Sequence, residues 1–476
     1  MRPVSIRIEP GAVIDGFRLE ERIHQGSMAT LWRVSAPDQP SLVMKMPLLR
    51  QGDDPTAMVG FEVEQMIMPV LHGPHVPRFI ASADFTAQPY IVMEHIRGES
   101  LRPRLEQAPL DPEEVTRIGA QIASALHDLH RQHVIHLDLK PSNVMFRENG
   151  EAVLIDFGFS RHDRLPDLLA EQFRLPMGTA PYISPEQVLR IRNDPRSDLF
   201  ALGAILYHFI TGERAFGFPS SLSGLRKRLY RDPVPPRARN PACPAWLQEI
   251  ILRCLEPDPA HRFETAAQVL LALRHPEQVA LTDRARKLRQ DGPLTVTRRW
   301  MRSLGAEPAH WQSTALQIAR SPMVVVALDL QGSTEVLLAS LRSTCERVLT
   351  MHPGARLACV TVLRTSRLAM DVTVDDEGRN LRVLRLVELK DWARPLGLGE
   401  ERLTYHVLEG PEPASAIIDF VRENRVDHAV VGARGASSLR RYLGSVSAQV
   451  VAESPCTVTV VKVPQPEERE EGIEAS

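Results

Sequence analysis

Lysine is nearly absent from this chain. Of 57 basic residues only six are lysine (Lys45, Lys140, Lys227, Lys287, Lys390 and Lys462), and arginine supplies the other 51. Coding bias is the plain explanation, but each retained lysine then raises the question of whether chemistry requires it. An excess of one charge is absent too. The 57 basic and 59 acidic residues leave a net charge of −2, without the basic surplus of nucleic-acid and membrane-surface binders. The five cysteines (Cys243, Cys254, Cys345, Cys359 and Cys456) are odd in number and scattered, with no C-x-x-C pair. They suggest neither a disulfide framework nor a zinc site, and a reducing cytoplasm is the simplest compartment. No run reaches the roughly 18 to 20 apolar residues of a membrane helix. The longest candidate, Leu199 to Ile210, contains His208 and reads as a buried helix. No basic segment followed by an apolar run marks a secretory signal. The expectation is a protein with no nucleic-acid partner and no integral membrane association.

At 476 residues the chain is about three times a typical domain, and 43 % hydrophobic residues suffice for several cores. Residues 14–275 open with short alternating segments such as Leu42-Val43-Met44-Lys45 and Tyr90-Ile91-Val92-Met93. Longer helical patterns follow, such as Pro112 to Gln132 and Ser197 to Thr211. Strands first and helices later predict an α+β domain, a small β-rich lobe joined to a larger helical lobe. Residues 276–320 hold eight basic residues against four acids, with Trp300 and Trp311, and read as a solvated helical linker. Residues 321–463 alternate strand and helix: Met323 to Leu328, Glu335 to Leu349, Leu357 to Leu363, Tyr405 to Leu408, Ala414 to Asn424, His428 to Val431 and Thr457 to Val463. That alternation predicts an α/β domain with a doubly wound parallel sheet. Inside it, Arg364 to Leu403 shows no readable pattern and looks like an insertion. The acidic tail, 464–476, reads as disordered.

The most specific segment is His136-Leu137-Asp138-Leu139-Lys140-Pro141-Ser142-Asn143. Asp156-Phe157-Gly158 begins eighteen residues after Asp138, and Ser184-Pro185-Glu186 and Ser197-Asp198-Leu199-Phe200-Ala201-Leu202-Gly203 lie beyond it. On these motifs the first domain resembles a eukaryotic-type (Hanks-type) bacterial serine/threonine protein kinase. The resemblance implies a two-lobed kinase fold, ATP with Mg²⁺ or Mn²⁺, protein substrates bearing serine or threonine, and autophosphorylation. It also implies a role for each matching residue. Asp138 takes or orients the proton of the attacking hydroxyl. Asn143 and Asp156 hold the metal through oxygen, the ligand type of a hard cation. Lys140 neutralises the moving phosphoryl group, and Thr179, in Gly178-Thr179-Ala180-Pro181-Tyr182, braces Asp138 and Lys140. Lys45 matches the strand lysine on the α- and β-phosphates. Its partner is Glu62 or Glu64, with Glu64 preferred because it lies seven residues before Leu71. Met93 closes the back of the adenine pocket, and the backbone of Glu94 to Ile96 forms the hinge. Glu186 with Arg262, and Asp198, match scaffold positions. At Lys45 and Lys140 a compact ammonium suits phosphate where arginine's planar fork does not. The bland alternative makes Asp138, Asn143 and Asp156 ordinary turn residues, and it needs three motifs to fall in order by accident.

Two features depart from the kinase pattern. The phosphate-covering loop, G-x-G-x-x-G in the family, reads His24-Gln25-Gly26-Ser27-Met28-Ala29, and only the middle glycine is kept. Gly26 is the position that lets backbone amides approach the phosphates most closely. Leu137 stands where most members carry the arginine that receives an activation-loop phosphate. The loop agrees, because Arg161 to Gly178 contains no serine, threonine or tyrosine. The expectation is a kinase not switched by phosphorylation of that segment.

The last 140 or so residues resemble a universal stress protein domain. Val324 to Asp329, Val430-Val431-Gly432-Ala433-Arg434-Gly435, Gly444-Ser445-Val446 and Pro455-Cys456-Thr457-Val458 carry the likeness. Eight residues separate Gly435 from Gly444, one fewer than in the ATP-binding form of the family. The resemblance implies a second ATP or other adenine nucleotide held by Asp329, Gly432, Gly435, Gly444 and Ser445, where a helix start favours anions. Otherwise these glycines only make tight strand–helix turns. It also implies a homodimer through this domain. The reading is therefore a serine/threonine kinase regulated by a C-terminal nucleotide sensor. The rival is a pseudokinase scaffold, which the degraded loop favours and the intact Lys45, Asp138, Asn143 and Asp156 set disfavours.

Overall fold

The computed structural model describes residues 8–26, 28–37, 39–48, 55–304, 322–352, 354–365, 375, 380–399, 402–433 and 444–462. Gly435 and the tail at 464–476 lie outside them. Two compact units divide the chain, the first reaching Ser313 and the second running from Thr314. No helix among the described residues is long and apolar enough to cross a membrane.

The small lobe of the first unit is a six-stranded sheet. Its strands are β1 (Val13–Ile14), β2 (Phe17–Gln25), β3 (Ala29–Ala36), β4 (Gln39–Pro47), β5 (Phe79–Ala83) and β6 (Tyr90–Glu94), antiparallel throughout in the order β1-β2-β3-β4-β6-β5. Trp32 and Val34 on β3 and Leu42, Met44 and Met46 on β4 alternate into one core with Leu19, Tyr90 and Val92. Helix α1 (Pro55–Ile67) buries Met58, Val59, Phe61, Val63 and Ile67, and with them Glu64.

The large lobe is helical. Helix α2 (Pro112–Arg131) starts at an Asp111 side chain that accepts from Glu113 N, with proline in its first turn. It buries Val115, Ile118, Ile122, Leu126 and Leu129, one face at helical spacing. Two antiparallel strand pairs follow, β7 (Val134–Ile135) with β10 (Arg161–His162) and, between them in the chain, the hairpin of β8 (Val144–Phe146) and β9 (Ala152–Leu154). Beyond them come α3 (Leu168–Gln172), α4 (Pro185–Val188) and α5 (Arg196–Thr211), then α6 (Leu222–Arg226), α7 (Pro236–Arg239), α8 (Ala245–Cys254) and α9 (Ala266–Arg274). Helix α5 is buried along almost its whole length, as an all-round apolar helix must be, and Gly212 ends it at φ 75°. Gly203 lets α5 meet α8, because a Cβ there would lie 2.6 Å from the Cβ of Cys254.

The basic stretch after His275 is not solvated throughout. Helix α10 (Asp283–Arg286) docks on α8. The Glu249 carboxylate, 3 % exposed, accepts from Thr282 N at 3.1 Å, Ala285 N at 3.0 Å and Arg284 Nη1 at 3.2 Å. Gln248 Nε2 donates to the carbonyls of Arg284 at 2.7 Å and Lys287 at 2.9 Å, and Lys287 Nζ pairs with Asp232 at 2.6 Å. Composition showed the charges; the partners lie some 35 to 55 residues away in the chain. Helix α11 (Pro293–Leu304) completes this region and buries none of its residues. Ending the chain at His275 strands Gln248 and Glu249 inside the lobe. A chain ending at His275 is expected to unfold about 5–10 °C below one ending at Leu304. Equal midpoints in thermal unfolding would refute the docking.

The second unit is a five-stranded parallel sheet of β11 (Met323–Ala327), β12 (Arg356–Arg364), β13 (Leu403–Gly410), β14 (His428–Ala433) and β15 (Thr457–Lys462), in the order β13-β12-β11-β14-β15. All its pairings are parallel, and Val324, Val325 and Val326 are fully buried, the continuous apolar run of a strand covered on both faces. Helices α14 (Pro413–Glu423) and α15 (Ser445–Glu453) pack on one side through Ile417, Ile418, Val421 and Val450. Helix α12 (Glu335–Met351) and α13 (Leu381–Ala393) are joined by Trp392 Nε1 donating to Leu338 O at 3.1 Å. Helix α13 lies in the stretch read as an insertion and packs on β12 and β13, so it is part of the sheet's covering. Two arginines on its buried side, Arg382 (paired with Glu409) and Arg385 (paired with Glu388), break the apolar period that would have revealed it.

Candidate active site

The period of two on β4 decides where Lys45 goes. Met44 and Met46 face the core, so Lys45 emerges on the opposite face. Its Nζ meets two carboxylates there, Glu64 Oε2 at 2.5 Å and Asp156 Oδ1 at 2.8 Å. Glu64 is 1 % exposed, a burial an ionised carboxylate requires a partner to sustain. One ammonium shared by two carboxylates splits them. Burial would raise Asp156, but Lys45, with help from Lys140 and His136, outweighs it and brings the carboxyl down to about 2. Burial pushes Glu64 up, against the pull of Lys45, and the charge of Asp156 adds to the push. Burial pulls Lys45 down, yet Asp156 and Glu64 more than offset it and keep the ammonium charged.

The loop between β7 and β8 gathers the other groups. Asp138 is 3 % exposed, and its Oδ1 accepts from Thr179 N at 2.8 Å and Thr179 Oγ1 at 2.6 Å. Its Oδ2 accepts from Lys140 Nζ at 2.6 Å, and Lys140 also donates to Thr179 Oγ1 at 3.2 Å. Asn143 Nδ2 donates to the Asp138 carbonyl at 3.1 Å, and its amide oxygen accepts from Ser142 Oγ at 3.3 Å. The structure therefore brings Asp138, Lys140, Asn143 and Thr179 into one cluster, with Asp156 linking Lys45 to the Phe157-Gly158 turn.

Backbone strain marks this loop and the turn after β9. Leu137 and Asp156 adopt φ of 60° and 67°, a left-handed conformation that side chains disfavour. Leu137 is held from both ends: its N–H donates to Asp198 Oδ1 at 2.8 Å, and its carbonyl accepts from Gln187 Nε2 at 2.7 Å. Asp198 Oδ2 also accepts from His136 N and pairs with His130 Nε2, both at 2.9 Å. Arg262 and Glu186 form a bidentate pair at 2.6 and 2.9 Å inside the lobe.

Three contributors escaped the sequence reading. Gln187 also donates to Met177 O at 3.0 Å and so ties the loop between β7 and β8 to the segment before Gly178; only its place beside Glu186 hinted at it. Gly60 lets α1 reach the Asp156-Phe157-Gly158 turn, since a Cβ there would meet Gly158 O at 3.0 Å. Arg147 holds Glu94 through both carboxylate oxygens, at 2.5 and 3.0 Å, and donates to Pro74 O at 2.9 Å. The Glu94 side chain thus braces the segment after β6, while Met93 and Ile96 bury their side chains on either side of it. At Gly26 a Cβ would make only ordinary contacts, 3.5 Å from Ala29 O and 3.6 Å from His24 Nε2, so the fold itself tolerates a side chain there.

In the second unit the sheet order reverses at β11, and a cleft of about 620 Å³ opens at the strand ends there. Asp329, Gly432, Gly444 and Ser445 all line it. Asp329 is exposed and accepts from Gly332 N at 3.0 Å. Helix α15 begins at Ser445, with Gly444 as its N-cap. Gly432 has a packing duty as well, because a Cβ there would meet Leu337 of α12 at 3.2 Å.

Comparison with known proteins finds a family for each of the two units. A family model described as a protein kinase domain matches residues 17–275, and one described as the universal stress protein family matches residues 323–462. Serine/threonine-protein kinase PknB of Mycobacterium tuberculosis (strain ATCC 25618 / H37Rv) is 31 % identical over 271 residues, which are 56 % of this chain and 42 % of that protein. PknB of Mycobacterium leprae is 30 % identical over 272 residues, with 56 % of this chain and 42 % of that protein covered. PknB of Mycolicibacterium smegmatis is 28 % identical over 355 residues, 69 % of this chain and 56 % of that protein. The chain thus spans about half the length of these relatives.

Proposed function

This chain belongs to the protein kinase family, as a bacterial Hanks-type kinase fused to a universal stress protein domain, and we propose that it transfers the γ-phosphate of ATP to serine and threonine hydroxyls of proteins, itself included. The observation that carries the reading is the Asp138 carboxylate, fixed by Thr179 and Lys140 beside the Lys45–Asp156–Glu64 set.

Each group has one task. Asp138 Oδ2, bonded to Lys140, and Oδ1, bonded to Thr179, orient the acceptor hydroxyl and receive its proton. Lys45 meets the α- and β-phosphates, and Glu64 holds Lys45 in place. Lys140 balances charge on the moving group. Asp156 and Asn143 supply carboxylate and amide oxygens, the donor set and small number that Mg²⁺ takes from a protein when phosphates and water complete its shell. The metal, when bound, neutralises charge on the phosphates. The backbone of Glu94 to Ile96 meets adenine, with Met93 behind it, and Gly26 lets the β2–β3 turn approach the phosphates.

The second unit serves as a nucleotide sensor, with Asp329 on the nucleoside side and Gly432, Gly444 and Ser445 on the phosphate side. What supports this is their convergence on one cleft of nucleotide size. Gly435 belongs to the same proposal. Two copies would associate through this unit, where β15 ends the sheet.

The test is incubation of the full chain with γ-labelled ATP, Mg²⁺ and a general acceptor protein. Label is expected in acceptor and chain; none above an Asp138→Asn background would leave the scaffold reading instead. Equilibrium binding with the full-length Lys45→Ala variant isolates the second site. About one nucleotide per chain is expected to remain, and none would refute the sensor.

A further inference from the structure

The segment from Arg161 to Gly178 has no hydroxyl side chain, and the two that bound it are engaged in the interior. Ser160 is 2 % exposed and donates to His136 O at 3.0 Å, while Thr179 donates to Asp138. Leu137, buried, offers no cation to a phosphate. The segment is nevertheless held by charge. The Asp167 carboxylate, 15 % exposed, accepts from Arg192 Nε at 3.1 and 3.0 Å through its two oxygens and lies 3.7 Å from Arg161 Nε. Arg192 Nη2 donates in turn to Phe159 O at 3.0 Å, one residue beyond the Asp156-Phe157-Gly158 turn. Asp167 also caps α3, accepting from Ala170 N at 3.2 Å. That helix buries Leu168 and Leu169 and packs against α1, the helix that carries Glu64 to Lys45.

From this geometry we propose that Asp167 is a positioning residue for phosphoryl transfer. It is a permanent anion that holds the activation segment, through Arg161 and Arg192, in the arrangement a loop phosphate secures elsewhere. Its carboxylate joins the turn after Asp156 to the segment's own helix, and so supports both carboxylate partners of Lys45. Without it two guanidiniums face each other across a largely buried site. Burial already pulls Arg161 below its ordinary value, Asp167 works against that pull, and Arg192 adds to it. Asp163 is the other carboxylate acting on Arg161, and it is half exposed and engaged with His133. The chain therefore works with no phosphate on this segment. This inference rests on the kinase reading above.

The test uses the full chain, treated with phosphatase and then freed of it. Wild type is expected to keep its initial rate. Asp167→Asn keeps an oxygen to cap α3 but loses the charge. It is expected to lower kcat about 10- to 100-fold, with KM for ATP changed less than about threefold. Asp167→Glu is expected to recover a large part of kcat, and Arg192→Gln to reproduce the kcat loss, which covers the case of an aspartate variant that does not fold. A merely structural role would lower the unfolding midpoint and leave the rate per folded molecule unchanged, and that result overturns the proposal. So does a phosphatase-sensitive wild type. A wild type no more active than Asp138→Asn sinks the kinase reading and this inference together; an active wild type matched by Asp167→Asn sinks this inference alone.

Discussion

Asp138→Asn is expected to reduce phosphate transfer by about 10²- to 10⁴-fold while ATP still binds. The substitution keeps size and shape but removes the charge. The carboxylate accepts from Thr179 N, Thr179 Oγ1, Lys140 Nζ and, at 3.4 Å, Asn143 Nδ2, so its position is imposed by four donors, and an amide would have to present a donor to one of them. The groups proposed to face ATP, Lys45, Glu64 and Asp156, form a separate ion-pair set whose links do not pass through the Asp138 carboxylate. Initial rates with labelled ATP and a nucleotide titration on the same preparation check both halves. A wild-type rate would remove Asp138 from the chemistry. Loss of ATP binding in parallel with the rate would mean that the two clusters are one.

The second large effect is on stability. Arg262→Ala is expected to cost about 3–5 kcal/mol and lower the unfolding midpoint of the first unit by about 10 °C. The Arg262 side chain is fully buried and forms two hydrogen bonds with Glu186, with further bonds to the carbonyls of Glu256 at 2.8 Å and Arg196 at 2.9 Å. Among the described residues, alanine leaves the Glu186 carboxylate with one side-chain donor, Ser197 Oγ at 2.8 Å, in the lobe's interior. The cost is mostly that uncompensated charge, so removing the charge as well should return part of the loss. Arg262→Met with Glu186→Leu is expected to melt above Arg262→Ala. Denaturant and thermal unfolding measure both variants. A double variant no more stable than the single would assign the loss to Arg262's carbonyl bonds and packing over Phe200.

The legible parts of this protein share a physical character. The groups from His136 to Asn143 lie within eight consecutive residues, so the chemistry that joins Asp138, Lys140 and Asn143 is written locally. Alternation on β4 and the apolar runs of β11 and β14 show directly which face is buried, and so reveal sheet type. Legibility failed where a buried position is polar. Arg382 and Arg385 on α13 hid a helix, because a buried arginine with its own carboxylate looks like a surface residue in the sequence. It failed again at residues 282–287, whose charges looked solvated but lie against Gln248, Glu249 and Asp232.

By itself the sequence determined the two domain types, the residue types of the proposed reacting centre and the missing loop hydroxyls, since each follows from short spacing or composition. Only the tertiary structure decided the pairings. Glu64 rather than its neighbour Glu62 meets Lys45, because the turn of α1 carries it to the buried side. Arg147 reaches Glu94 across 53 residues, Gln187 reaches Leu137 across 50, and Arg192 reaches Asp167 across 25. A charge or an amide in a sequence states only that it needs a partner. Which partner it finds is settled when burial removes water and leaves, within about 3 Å, the one group the fold has brought there.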